Sequence, residues 1–100
     1  MNKCGYVYIL SSGRNGTLYV GVTSNLRSRI EQHKAKIVKG FSSKYTVNQL
    51  VYVEIYDLIV DAITREKQLK RYKRQWKIAL IEKNNPRWLD LTNDYLMGYD

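Results

Sequence analysis

Tyr6-Val7-Tyr8-Ile9-Leu10 and Leu18-Tyr19-Val20-Gly21-Val22 are two short runs separated by Ser11-Ser12-Gly13-Arg14-Asn15-Gly16. Their alternation and their aromatic and β-branched content predict strands over 5–10 and 17–22. The segment between them ends in Asn-Gly, the strongest short-range signal for a hairpin turn. Alternation also sorts the side chains, placing Tyr6 and Tyr8 on one face and Val7 and Ile9 on the other.

Outward from this hairpin the period changes. Leu26, Ile30 and Ile37, with His33 between them, follow helical spacing behind Ser24 or Asn25 as N-cap. Residues 36–46 carry Gly40, Ser42 and Ser43 among basic residues without sustained periodicity and are expected to form a mobile loop. Gln49 to Tyr56 is β-branched and aromatic and is expected to join the hairpin as a third strand. A second helix is expected from Asp57 or Asp61 through Tyr72, and a third from Arg74 to Lys83, closed by Pro86. The order ββαβαα predicts an α+β domain with one three-stranded antiparallel sheet flanked by helices, spanning residues 1–92, with 93–100 as a loosely packed tail.

The 100 residues suffice for one ordinary domain. A formal charge of +8 favours phosphate-rich partners or anionic surfaces without choosing between them. The N-terminus lacks an apolar signal core and no apolar run approaches the roughly 18 residues of a membrane span, so a cytoplasmic, membrane-free protein is expected. Cys4 is the sole cysteine, which excludes an internal disulfide and a cysteine-based structural zinc site.

The hairpin and the segments after it resemble the GIY-YIG nuclease family over about residues 5–86. The second signature triplet falls on Tyr19-Val20-Gly21 and the first on Tyr6-Val7-Tyr8, where Tyr6 stands in place of glycine and Val7 in place of isoleucine. The family's arginine on the first helix matches Arg29, ten residues after Tyr19, and its metal-binding glutamate matches Glu66 within Ala62-Ile63-Thr64-Arg65-Glu66-Lys67-Gln68-Leu69-Lys70. The similarity is greatest to the small, stand-alone branch without an appended DNA-reading domain. It implies a divalent-metal-dependent endonuclease acting on DNA with Mg²⁺ or Mn²⁺. In it Tyr8 would be the general base, Tyr19 would orient water or phosphate, Arg29 would stabilise the phosphate and Glu66 would bind the metal. An asparagine near the domain's end is implied too, at Asn85 in preference to Asn84.

Each of these residues also has an ordinary use. Glu66 shares a helical face with Ala62, Ile63 and Leu69, and a carboxylate leaving a helix near its packed side must be paired or bind a cation. The ordinary use of such a residue is an ion pair with Lys70 at i+4. Arg29 and His33 lie one turn apart beside Leu26 and Ile30. A guanidinium is always charged and donates two parallel hydrogen bonds to phosphate, although a solvent-facing arginine is the commoner case. His33 is open between a phosphate or proton-transfer role and packing at the edge of the core. Nine tyrosines make packing the ordinary role of any one of them, including Tyr6. A phenol is about one part in a thousand ionised at neutral pH unless cationic neighbours lower its pKa, for which Arg29 and a bound divalent cation are the candidates.

Lys67, Lys70, Arg71, Lys73, Arg74 and Lys77 form the densest basic run, interrupted by Tyr72 and Trp76, and Lys44 adds charge in the expected loop. This pattern suits backbone contacts and base stacking with DNA, selected by structure and not by sequence. Two rivals stand beside the nuclease. One is a nucleic-acid-binding module of the same fold that turns over slowly or needs a partner to position its substrate, and the other is a protein-interaction domain using Tyr95, Tyr99 and the tail.

Overall fold

The computed structural model describes residues 3–35 and 49–96, with side chains over 3–33 and 49–95. β1 (Gly5–Ser11) and β2 (Leu18–Thr23) form the expected hairpin, and β3 (Gln49–Tyr56) pairs antiparallel with the other side of β1. The sheet order is therefore β2-β1-β3, with β1 central. In the hairpin turn Asn15 takes a left-handed φ of 58°, a conformation that Asn tolerates better than most residues.

α1 (Leu26–Ala35) is capped by Asn25, whose Oδ1 accepts from the Ser28 N–H at 3.0 Å. α2 (Ile59–Arg71) starts behind Leu58, which makes no side-chain cap. Asp57 therefore does not open this helix, and Asp61 lies inside its first turn. Extended backbone at Tyr72 and Lys73 separates α2 from α3 (Arg74–Asn84), which Asn85 caps before Pro86. The mobile loop expected over 36–46 lies outside the described residues.

Both faces of the sheet are covered. Val7, Ile9 and Val20 pack with Ala62 and Leu69 of α2 and Ile81 of α3, whereas Tyr8 and Leu10 pack with Leu26 and Ile30 of α1. β3 serves both layers through a bulge: Ile9 pairs with Tyr52 and Leu10 with Leu50, which leaves Val51 extra. As a result Val51 and Tyr52 both turn toward α2 and α3.

The expected tail is partly ordered packing. α4 (Thr92–Leu96) crosses the 92/93 boundary, and Leu91 and Tyr95 pack against the α1-side cluster. Residues 85–91 also cover the outer side of β3. Leu91 N–H donates to Leu50 O at 2.7 Å, Leu50 N–H to Asp90 Oδ1 at 3.2 Å, and Asn85 Nδ2 to Val51 O at 3.1 Å. These bonds satisfy backbone groups that an edge strand would otherwise present to another chain. Among the described residues no helix is long and apolar enough to cross a membrane.

Candidate active site

The second triplet has a steric meaning in this sheet. Leu18, Val20 and Val22 turn toward α2, so Tyr19 and Gly21 share the opposite face with Tyr8. Gly21 is the direct cross-strand partner of Tyr8, and the Tyr8 ring lies so close over it that an added Cβ would overlap Tyr8 Cζ and Oη. Glycine at this position lets the phenol reach across β2. Gly21→Ala should cost about 1–3 kcal/mol as an overpacking change. A thermal melt should show it as a fall of about 4–8 °C in Tm per kcal/mol, while an unchanged Tm would mean that the ring is not held against Gly21.

At the far end of that ring, Tyr8 Oη lies 3.3 Å from His33 Nε2. The Tyr19 ring stands edge-on to His33 at 5.0 Å between centroids and 6.3 Å from Tyr8. α1 supplies both His33 and, one turn earlier, the exposed Arg29, whose Nη1 is 3.4 Å from Gln32 Oε1. Tyr8 is fully buried, whereas Tyr19 and His33 are partly exposed. Burial pushes the Tyr8 phenol far above its ordinary pKa and the neighbouring Tyr19 adds to the rise, while Arg29 offsets only part of it. Arg29 is the cation expected from the sequence to lower this pKa. Its pull has the expected sign, but desolvation outweighs it.

Glu66 approaches from the other layer. It is buried beside Ala62 and Leu69 on α2, which packs on both β1 and β2. Ile63, expected on the same face, is instead exposed. The Glu66 carboxylate is close enough to Tyr8 to raise the phenol further. It holds the Lys70 ammonium at 2.8 Å, with side-chain exposures of 12% and 56% respectively. That hydrogen bond raises the Lys70 pKa, and Tyr19 contributes in the same sense. The i,i+4 pair anticipated as the ordinary use of Glu66 is thus present.

A carboxylate that is largely out of water and already holds a cation fits a divalent ion in kind. Among the described residues no group of three or more His, Cys, Asp or Glu side chains could hold a metal. A single carboxylate would suit a hard cation such as Mg²⁺ or Mn²⁺, which usually keeps several waters, and it lacks the nitrogen or sulfur donors that zinc takes.

Other candidates are placed elsewhere. Tyr6 shares the Tyr8 face but lines a separate cavity of about 250 Å³ with Leu26, Arg27 and Tyr95. Asn85 is buried, and its amide is used by main chain: Nδ2 donates to Val51 O and Leu89 O, and Oδ1 accepts from Leu89 N–H. It therefore ties α3 to β3, across β1 from the phenol cluster on the β2 side. Arg74 is drawn into the fold as well, with Nη2 donating at 2.6 Å to Asn15 O and Gly16 O in the hairpin turn. Lys67, Lys70, Arg71 and Lys73 are exposed, Lys77 is half-buried, and Lys44 lies outside the described residues.

One polar network was missed in the sequence. Glu54 on β3 accepts from the hydroxyls of Tyr52 and Tyr56 and from Arg65 of α2, at 3.0 Å from Nε. Burial alone would raise this carboxyl, but hydrogen bonds from Arg65, Tyr52 and Tyr56 hold it below its ordinary value. The alternation Tyr52-Glu54-Tyr56 carried the signal, since it places all three on one face.

A model of the GIY-YIG catalytic domain matches residues 4–79 of the chain. A UPF0213 protein of Pediococcus pentosaceus is 40% identical over 92 residues, covering 88% of each chain. Another from Staphylococcus haemolyticus is 37% identical over 81 residues, covering 77% of this chain and 93% of its own. The solution NMR structure of a UPF0213 protein from Bacillus halodurans is similar in fold, with a TM-score of 0.55 and 22% identity over 93% of this chain and 98% of that one.

Proposed function

We propose, from the premise that this chain belongs to the GIY-YIG catalytic-domain family, that it is an endonuclease hydrolysing DNA phosphodiester bonds with a divalent metal. The observation that supports this reading best is the convergence of Tyr8, Tyr19, His33 and Arg29 on one side of β2 with a buried carboxylate, Glu66, close by.

Each residue then has a task. Arg29, exposed at the rim, receives the scissile phosphate and stabilises the charge that grows on it. Tyr8 takes a proton from the attacking water. Because burial keeps its phenol protonated, Tyr8 must release its own proton in the same step, and His33 Nε2 at 3.3 Å is the acceptor. The partly exposed Tyr19, its ring 6.3 Å from that of Tyr8, orients the water. Glu66 would hold Mg²⁺ or Mn²⁺ after exchanging it for the Lys70 ammonium. The ion, when bound, supplies Lewis-acid polarisation of the phosphate and stabilises the leaving oxygen. A single carboxylate that is already paired predicts weak metal binding without DNA.

The test is incubation of the protein with plain and branched DNA, with and without Mg²⁺ or Mn²⁺, beside Arg29→Ala. We expect metal-dependent strand cleavage by the parent and turnover about 10²- to 10³-fold lower in the variant, the usual cost of losing one charge-stabilising donor. Arg29 is exposed, so the variant should keep the parent's circular dichroism. Binding that weakens steeply with salt but leads to no cleavage under any metal would favour the binding module, which the +8 charge also supports.

A further inference from the structure

Trp76, at the start of α3, is 49% exposed, whereas Trp88 is buried. Trp76 lines an apolar groove of about 440 Å³ with Tyr72, Ala79, Leu80 and Lys83. The groove has a built wall. Tyr72 stands perpendicular to the indole at 5.4 Å between centroids and is itself held by Arg65, whose Nη1 lies 3.3 Å from the Tyr72 hydroxyl. The Lys73 ammonium lies 5.7 Å from the centre of the Trp76 ring. A flat aromatic wall, an apolar floor and lysines at the rim match the alternation of a single nucleic-acid strand, in which each π-faced base is followed by a phosphate.

We propose that this groove binds an unpaired base of the DNA substrate, stacked on Trp76 with its flanking phosphates near Lys73 and Lys83. The inference rests on the nuclease reading and adds a substrate class to it: DNA with a single-stranded stretch close to the cleaved bond. A duplex buries its base faces in its own stack and cannot offer this contact. A protein surface fits less well, because lysine is depleted in protein–protein interfaces and this groove carries it in its lining and at its rim. Continuity with the active site runs along α2. Arg71 lies five residues, about 7–8 Å of helix, beyond Glu66, and Tyr72 follows at once.

The experiment is equilibrium binding in EDTA, where no cleavage occurs, to oligothymidylate, an abasic strand of the same length and a duplex of the same length. The parent, Trp76→Phe and Trp76→Ala are compared, with tryptophan fluorescence as a second readout. Oligothymidylate should bind the parent about tenfold more tightly than the abasic strand and quench its fluorescence. Trp76→Ala should lose that preference and the quench, and Trp76→Phe should keep most of the preference, as stacking on one aromatic ring requires. Equal affinity for the two strands in parent and Trp76→Ala alike would overturn the stacking proposal, leave the nuclease reading standing and assign the groove to a protein partner. A parent that binds none of the three would overturn both.

Discussion

Tyr8→Phe is expected to lower the turnover of metal-dependent DNA cleavage by about 10²- to 10⁴-fold, the range of a lost general base. The substitution deletes one oxygen from a ring that is otherwise fully buried between Gly21 and α1, so the ring's packing is kept. DNA affinity in EDTA should not change, because Tyr8 has no exposed surface with which to meet a phosphate. Single-turnover cleavage alongside binding and a thermal melt separates these effects. Cleavage at the parent rate would transfer the base role away from Tyr8, and Tyr19 and His33, both partly exposed, would be its heirs.

The fold was legible because its strands alternate cleanly. Val7 and Ile9 against Tyr6 and Tyr8 assign the two faces of β1, and Asn15-Gly16 announces the turn between β1 and β2. The β3 bulge was not legible, since Leu50-Val51-Tyr52 reads as uninterrupted strand and only pairing with β1 leaves Val51 extra. The helix starts divided in the same way. Asn25 is a cap by its own chemistry, whereas α2 starts at Ile59 with tertiary support, its N–H donating to Lys3 O at 2.8 Å. Nor was α4 legible, because Leu91 and Tyr95 gain their apolar contacts only from distant parts of the chain.

For the site, the family resemblance pointed to Tyr8, Tyr19, Arg29 and Glu66, helical spacing set His33 one turn from Arg29, and the fold brings Tyr8, Tyr19 and His33 into contact. Their electrostatics were not legible. How deeply Tyr8 is buried, and hence the sign of its pKa shift, depends on Gly21 leaving room for the ring and on α1 covering it. Nor does sequence show what a charge is spent on. Arg74 stands in a basic run yet reaches back to a turn far away in the chain, and Asn85 stands where the family resemblance places a functional asparagine yet binds backbone.

Glu66→Gln is expected to reduce cleavage by about 10³-fold or more, since the several kcal/mol of transition-state stabilisation supplied by a Lewis acid depend on the charge that retains it. The change keeps the size and hydrogen-bonding capacity of a largely buried side chain, so the fold should persist. It also removes the negative charge that neutralises the Lys70 ammonium, 2.8 Å away and largely exposed. DNA binding in EDTA should therefore be unchanged or slightly tighter, because one negative charge is gone and one positive charge is released. Lys70→Ala, which removes that ammonium and leaves the carboxylate, should instead bind DNA slightly more weakly, and the opposite signs separate a charge effect from a general effect of mutation.

The most direct measurement is nicking of supercoiled circular DNA by parent and Glu66→Gln, with each complex first formed in EDTA and cleavage then started by excess Mg²⁺. The expected result is occupancy by the variant at least equal to the parent's before metal is added, followed by nicked product from the parent and none from the variant over the same interval. Nicking by both proteins at the same rate would contradict it, because Glu66 would then not be the residue through which metal reaches the phosphate.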